Sequence, residues 1–354
     1  MEISITKTTA PAEKPDSSIL GFGKYFTDHM FIMDYSKDEG WHDARIVPFG
    51  RFPIHPASTV LHYGSEIFEG LKAYRKADGS IQMFRPLENI RRMNRSAVRM
   101  CLPEIPEDLA LEVLTKFVFF EQDWVPSANG TSLYIRPFMF GNDESLGVHS
   151  VKNATFMIIT SPVGSYYKEG INPVKIMIES EDVRAVRGGT GEAKCGGNYA
   201  ASNRAGERAE QMGYSQVLWL DGVERKYIEE VGAMNVMFKI NGEVVTPMLA
   251  GSILPGITRK SILELLRKEG IPAVERLISI DELVDAMEKG TLQEAWGCGT
   301  AAVVSPIGEL CYNGKKYAVN GGKIGELTQH LYDTLTGIQW GTREDEFGWI
   351  YKLD

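Results

Sequence analysis

Gly188-Gly189-Thr190-Gly191-Glu192-Ala193-Lys194-Cys195-Gly196-Gly197-Asn198-Tyr199 is the most unusual stretch of the chain, with one lysine bracketed by five glycines. Glycine permits positive φ and the close approach of backbone or ligand. A phosphate-binding loop is also glycine-rich, but the spacing G-x-x-x-x-G-K-[ST] is absent because Lys194 is followed by Cys195. On glycine content alone the stretch reads as a flexible turn carrying a solvated lysine. The residues around it decide otherwise.

Upstream, Ser161 to Asn172 carries a proline, two glycines and polar residues, as expected of a segment crossing between lobes near residue 170. Before it, Ile81 to Phe84 reads as extended and Pro86 to Met100 as a helix through Leu87, Ile90 and Ala97. Leu111, Leu114, Phe117 and Val118 give Glu107 to Trp124 a core-facing helical stripe. Ser132 to Ile135 and Ala154 to Thr160 read as strands. Downstream, strands are expected at Val174 to Ile178, Gln216 to Leu220, Tyr227 to Ile240 and Ala301 to Ile307. Helices are expected at Asn198 to Met212, Ile257 to Glu269 and Ile280 to Lys289. Ser279 with Glu282 has the form of a capping box, and Gly270 and Gly290 stand where helices should stop. Ile324, Leu327, Leu331, Leu335 and Ile338 mark an amphipathic C-terminal helix.

At 354 residues the chain exceeds the usual size of one hydrophobic core, and no repeat organises it, so two lobes are expected. Apolar residues at 43% and charged residues at 24% are the composition of a soluble globular protein. A net charge of -9 and a pI near 5.4 argue against nucleic acid, since no basic surplus exists to release counterions. No apolar run is long enough to span a bilayer and the start resembles no signal segment, so a cytoplasmic protein is expected. The four cysteines sit at wide, irregular spacings that fit neither a metal knuckle nor a disulfide framework. The six histidines form no metal-binding pair, so no metal is expected.

Several separate motifs then agree in order. They are Phe22 to Met30 (FGKYFTDHM), Phe68 to Tyr74 (FEGLKAY), Ser132 to Pro137 (SLYIRP), Lys194 to Tyr199 (KCGGNY) and Gly297 to Ala301 (GCGTA). Through them nearly the whole chain resembles the branched-chain aminotransferases of the fold-type IV pyridoxal-phosphate enzymes. The resemblance implies an α/β (α+β) protein of two domains. A smaller N-terminal α/β lobe is expected over 1–168, and a larger strand-rich pseudo-barrel lobe that binds the cofactor over 169–354.

It also implies pyridoxal 5′-phosphate as cofactor, with Lys194 at the Schiff-base position. Only a neutral amine attacks an aldehyde, and desolvation or a neighbouring cation keeps a reactive fraction of such a lysine available. Tyr199 matches the partner of the cofactor's phenolate oxygen. Glu230 matches the carboxylate that keeps the pyridine nitrogen protonated, so that the ring accepts electrons. Strand alternation turns the adjacent Glu229 to the other face. Arg92, Ile257, Thr258 and Thr300 match the phosphate ligands. Pro255-Gly256 ends a loop where a helix begins, and the first amides of that helix form an anion site. Arg91 is expected to be solvated.

For substrates, the resemblance implies an apolar pocket of Phe22, Tyr63, Phe68, Tyr134, Tyr166 and Ala301, with Arg136 at its wall. Branched-chain L-amino acids and 2-oxoglutarate or L-glutamate would share it, Tyr63 and Arg136 serving the second carboxylate. A homodimer is implied, since part of such pockets comes from a partner subunit. The chain departs from vertebrate relatives at Ala302 and Ser305, where those carry a Cys-x-x-Cys pair. It departs from many others at Ala233, where a hydroxyl residue is usual. Two relatives of the same fold, a D-amino-acid aminotransferase and an aminodeoxychorismate lyase, share the lysine and glutamate but are typically shorter and need a different pocket.

Overall fold

The computed structural model describes residues 1–164 and 171–353, and the chain divides into two compact units. One comprises 1–168, 193–196 and 337–354, and the other 169–192 and 197–336. A single cut at 168/169 therefore misplaces two pieces. The segment around Lys194 and the C-terminal stretch both belong to the N-terminal unit, which becomes the larger of the two, reversing the expected order.

The first unit is built on a nine-stranded sheet. Its strands are β1 (Ser4–Ile5), β2 (His29–Ser36), β3 (Gly40–Pro48), β4 (Glu66–Phe68), β5 (Leu71–Arg75), β6 (Ile81–Phe84), β7 (Ser132–Gly141), β8 (Asn153–Val163) and the C-terminal strand Ile350–Leu353. The order is β1-β3-β2-β8-β7-β5-β6 and then the C-terminal strand, with β4 pairing β7. That last strand pairs β6, and Trp340 donates to Thr131 O at 2.9 Å, which ties the C-terminus to this unit. Strand β8 runs to Val163, so Ser161–Val163 is sheet rather than connection.

Alternation along β7 separates two faces. Leu133, Ile135 and Met139 are wholly buried, while Tyr134, Arg136 and Phe138 lie on the opposite, half-buried side. Against the buried face pack α2 (Pro86–Met100), opened by a proline whose fixed φ suits a helix start, and α3 (Glu107–Phe120). Helix α3 stops short of the expected Trp124. The buried Glu121 carboxylate takes a hydrogen bond from His29 Nδ1 at 2.6 Å, and a 3-10 turn, Gln122–Trp124, follows. Because His29 Nε2 accepts the Thr8 N–H at 2.9 Å, the ring proton sits on Nδ1. A short α1 (Thr59–Tyr63) ends at Gly64 in the left-handed region.

In the second unit, β9 (Val174–Ile178), β10 (Gln216–Leu220), β11 (Ile228–Val231), β12 (Met234–Ile240), β15 (Leu292–Gly299) and β16 (Val303–Tyr312) close a ring. The order β11-β10-β9-β16-β15-β12 is completed by β12 pairing back to β11, the expected pseudo-barrel. Strands β13 (Glu243–Pro247), β14 (Ala273–Arg276) and β17 (Lys315–Ala318) extend it. Helices α4 (Gly196–Ala200), α5 (Asn203–Gln211), α6 (Ile257–Lys268), α7 (Ile280–Glu288) and α8 (Glu326–Trp340) complete the chain.

Three expected elements are corrected. Tyr227 to Ile240 is a hairpin rather than one strand, folded at Gly232, whose φ is 56° and whose absent Cβ would lie 2.2 Å from Gln216 Oε1. Asn198 to Met212 is two helices, and Ser202 Oγ donates to Tyr199 O at 2.6 Å at the break. Thr300 to Ala302 is a turn, with β16 starting at Val303. Ser279 accepts the Glu282 N–H at 3.1 Å, a cap that contributes about 1 kcal/mol. The Glu282 carboxylate goes to Arg276 instead of closing the box.

Candidate active site

In the first unit the segment that carries Lys194 is held from three sides. Its N–H donates to Ser96 Oγ of α2 at 2.9 Å, and its carbonyl accepts the Phe68 N–H of β4 at 2.9 Å. The Gly196 N–H donates to the Glu66 carboxylate, also on β4. Ala193 and Cys195 are buried in the core on either side. A Cβ at position 196 would lie 2.5 Å from Glu66 Oε1, so glycine is required for the carboxylate to reach the backbone. Burial raises the Glu66 carboxyl above its ordinary range, offset in part by the Gly196 N–H and the Arg136 charge.

From the lysine a chain of rings and charges follows the half-buried face of β7. Lys194 Nζ lies 4.6 Å from the Phe68 ring centroid, and the Arg136 guanidinium lies 4.8 Å from the same centroid and 5.3 Å from that of Tyr134. Arg136 Nη2 donates to Tyr134 Oη at 3.0 Å, while its Nε is buried without a hydrogen-bond partner among the described residues. Phe22 meets Tyr134 edge-on at 4.9 Å. Gly70 makes room for the tyrosine, since a Cβ there would lie 2.1 Å from Tyr134 Oη. Lys194, Phe68, Arg136, Tyr134 and Phe22 are thus brought together as one array. Tyr63 gives its hydroxyl to Leu146 O instead. Tyr166 lies outside the described residues.

Arg92 is held by Glu69, a residue that sequence reasoning passed over. Nε and Nη2 donate to the two carboxylate oxygens at 2.7 and 2.8 Å, and Asn89 adds a bond at 2.8 Å. Burial by itself raises the Glu69 carboxyl, but Arg92, then Lys194 and Asn89, outweigh it and hold the group below its ordinary value. Arg91 is exposed and pairs with Glu107, as expected of a surface charge. Lys72 was also missed. It lies across from Tyr134 in the β5–β7 ladder, and burial pushes its ammonium down to about 8. The signal available was its place in FEGLKAY, with apolar neighbours on both sides.

In the second unit Glu230 stands on β11 directly across from Asn235 on β12. Arg184 Nε lies 2.6 Å from Oε2, and Asn235 Nδ2 donates to Oε1 at 3.0 Å and to Leu254 O at 2.9 Å. Glu229 points elsewhere, accepting from Ser252 Oγ, and burial raises its carboxyl. Strand alternation does separate the two glutamates. Gly256 caps α6 with φ -68° and ψ 136° and no side-chain hydrogen bond, which leaves the first amides of a twelve-residue helix as donors for an anion. A Cβ on Gly256 would lie 1.9 Å from Asn235 Oδ1. Ile257 and Thr258 follow, both buried. Thr300 and Ala301 occupy the half-buried turn after β15. Burial pushes the nearby Cys298 thiol up to about 12, so it is inert as a nucleophile. Tyr199 sits in α4, after a loop locked by paired Thr190–Asn198 hydrogen bonds of 2.8 Å. Among the described residues no cluster of His, Cys, Asp and Glu can hold a metal ion.

Known proteins match this chain along its length. The family model for amino-transferase class IV matches residues 66–310. Branched-chain-amino-acid aminotransferase 2 of Bacillus subtilis is 55% identical over 353 residues, covering 100% of this chain and 97% of that one. The crystal structure of an Escherichia coli branched-chain amino acid aminotransferase superposes with a TM-score of 0.76 at 26% identity, covering 92% of this chain and 99% of the other. A branched-chain aminotransferase from the thermophilic archaeon Thermoproteus uzoniensis, solved with norvaline, gives 0.75 at 26% identity, with 92% and 100% covered.

Proposed function

The chain belongs to the class IV aminotransferases, in their branched-chain-amino-acid branch, and from that premise we propose that it moves the amino group of L-leucine, L-isoleucine or L-valine to 2-oxoglutarate. The products are the branched 2-oxo acid and L-glutamate. The observation that carries the reading is Lys194 pinned by Ser96 and Phe68, with its Nζ over an aromatic ring at the head of the Phe68-Arg136-Tyr134-Phe22 array.

The residues fit pyridoxal 5′-phosphate on their own chemistry. There is a lysine among apolar neighbours, a buried carboxylate at Glu230, and an uncapped helix N-terminus with buried Ile257 and Thr258 behind it. When bound, the cofactor supplies an electron sink that makes the amino acid's Cα proton removable. Lys194 carries the cofactor, and its Nζ takes and returns the Cα proton. By the family likeness, Glu230 would serve the ring nitrogen, Tyr199 the phenolate oxygen, and Ile257, Thr258 and Thr300 the phosphate. Arg92, the family's phosphate arginine by the same likeness, would share its guanidinium with Glu69. Phe22, Phe68 and Tyr134 would form the apolar side of the substrate site, and the family likeness assigns Tyr63, Tyr166 and Ala301 to the same role. The unsatisfied Arg136 Nε serves a carboxylate, which explains how glutamate shares a pocket suited to leucine.

A homodimer belongs to the same proposal. Phe22, Phe26, Phe49, Ile54, Leu61, Tyr63, Leu146 and Val148 of the first unit are all exposed, and a partner subunit would cover them. A cytoplasmic site fits four free cysteines. Among the described residues no helix is long and apolar enough to cross a membrane. The test is turnover with L-leucine and 2-oxoglutarate, following both products. Equal formation of glutamate and 4-methyl-2-oxopentanoate, abolished in Lys194→Ala, is expected. Amino transfer from D-alanine in place of L-leucine would contradict it.

A further inference from the structure

Arg184 takes no part in the roles above, yet it is buried, with 7% of its side chain exposed, and its guanidinium joins three parts of the second unit. Its Nε lies 2.6 Å from Glu230 Oε2. Its Nη2 donates to Gly191 O at 3.2 Å and to Ser252 O. Gly191 lies in the glycine-rich stretch three residues before Lys194, and Ser252 lies in the connection between β13 and α6. These loops touch, since a Cβ on Gly191 would lie 2.2 Å from Ser252 O.

We propose that Arg184 is a positioning residue that keeps Glu230 charged and aligned while locking together the loops before Lys194 and before α6. The inference rests on the reading of Glu230 as partner of the cofactor's ring nitrogen. Asn235, a neutral amide, does not replace the charge that the guanidinium supplies, and a buried carboxyl deprived of its cation shifts toward its protonated form. A neutral acid offers no charge to hold a pyridinium. The two hydrogen bonds from Nη2 and the ion pair at Nε engage opposite sides of one planar cation, a span that the point charge of lysine does not supply.

The experiment uses wild-type enzyme and Arg184→Met and Arg184→Lys variants, loaded with pyridoxal phosphate isotope-labelled at the ring nitrogen. Nitrogen NMR, kcat and KM for L-leucine are measured. In Arg184→Met the visible band that depends on Lys194 remains and the ring-nitrogen resonance moves toward its unprotonated position. Its kcat falls by at least about tenfold while KM changes by less than about threefold. Arg184→Lys falls between. A folded Arg184→Met protein with wild-type resonance and kcat overturns the proposal. Where that variant does not fold, Arg184→Lys decides, and wild-type values there overturn it equally. A wild-type protein that gives no visible band with the cofactor overturns the reading of Lys194 beneath it, an outcome distinct from a failure of Arg184.

Discussion

Arg92 and Glu69 expose 5% and 1% of their side chains and hold each other through two parallel hydrogen bonds. A buried pair of this kind is costly to break from one side, because the remaining charge has neither water nor partner. Arg92→Met is therefore expected to destabilise the cofactor-free protein by about 3–5 kcal/mol in urea unfolding. Arg92→Met with Glu69→Leu should recover most of that loss. If the double variant is stable but fails to retain cofactor, Arg92 serves the phosphate as well as Glu69. Lys72 gives a prediction tied to pH. The unfolded lysine keeps its proton up to its ordinary 10.5, whereas in the fold burial brings the group down to about 8. Between those values the unfolded chain binds more protons, so stability rises with pH across that window. Lys72→Met should flatten the rise, which unfolding curves at pH 7 and pH 10 would show. Motifs made Arg92 legible as important. They did not reveal Glu69 as its partner, because the contact spans 23 positions and depends on how α2 meets the turn between β4 and β5.

At the scale of elements, β4 and the 194–196 segment hold each other through the Phe68 N–H and the Glu66 carboxylate. Gly196→Ala places a methyl against Glu66 Oε1 and should loosen the lysine without unfolding the sheet. We expect a kcat loss of about tenfold or more, with melting shifted by only a few degrees. Unchanged turnover would remove β4 from the account. Periodicity read β6, α2, β9 and β10 to their last residues, since each is short, bounded and regular in pattern. It failed at Glu121, where a distant histidine stops α3, and at Gly232, where apolar residues on both sides hide the fold of a hairpin. The strands β2 and β3 were not read at all. Their mixed composition gives no period, and pairing with β8 and with each other makes them sheet.

For the whole molecule, the order of motifs along the chain identified the family, whereas composition and periodicity alone stop at a soluble two-lobed α/β protein. The return of residues 193–196 and 337–354 to the N-terminal unit is tertiary and left no local mark. The exposed apolar residues of that unit lead to an assembly prediction. Val148 is 82% exposed and Leu146 67%; Leu146→Asp with Val148→Asp should convert a dimer to a monomer in sedimentation and lower turnover. A wild-type protein that sediments as a monomer at every concentration would contradict this part. The most direct test of the central claim is the visible spectrum of the purified, cofactor-loaded protein when L-leucine is added without any 2-oxo acid. The account predicts that the yellow band bleaches and that 2-oxoglutarate restores it. A band unmoved by L-leucine, or one that responds to D-alanine instead, would contradict it.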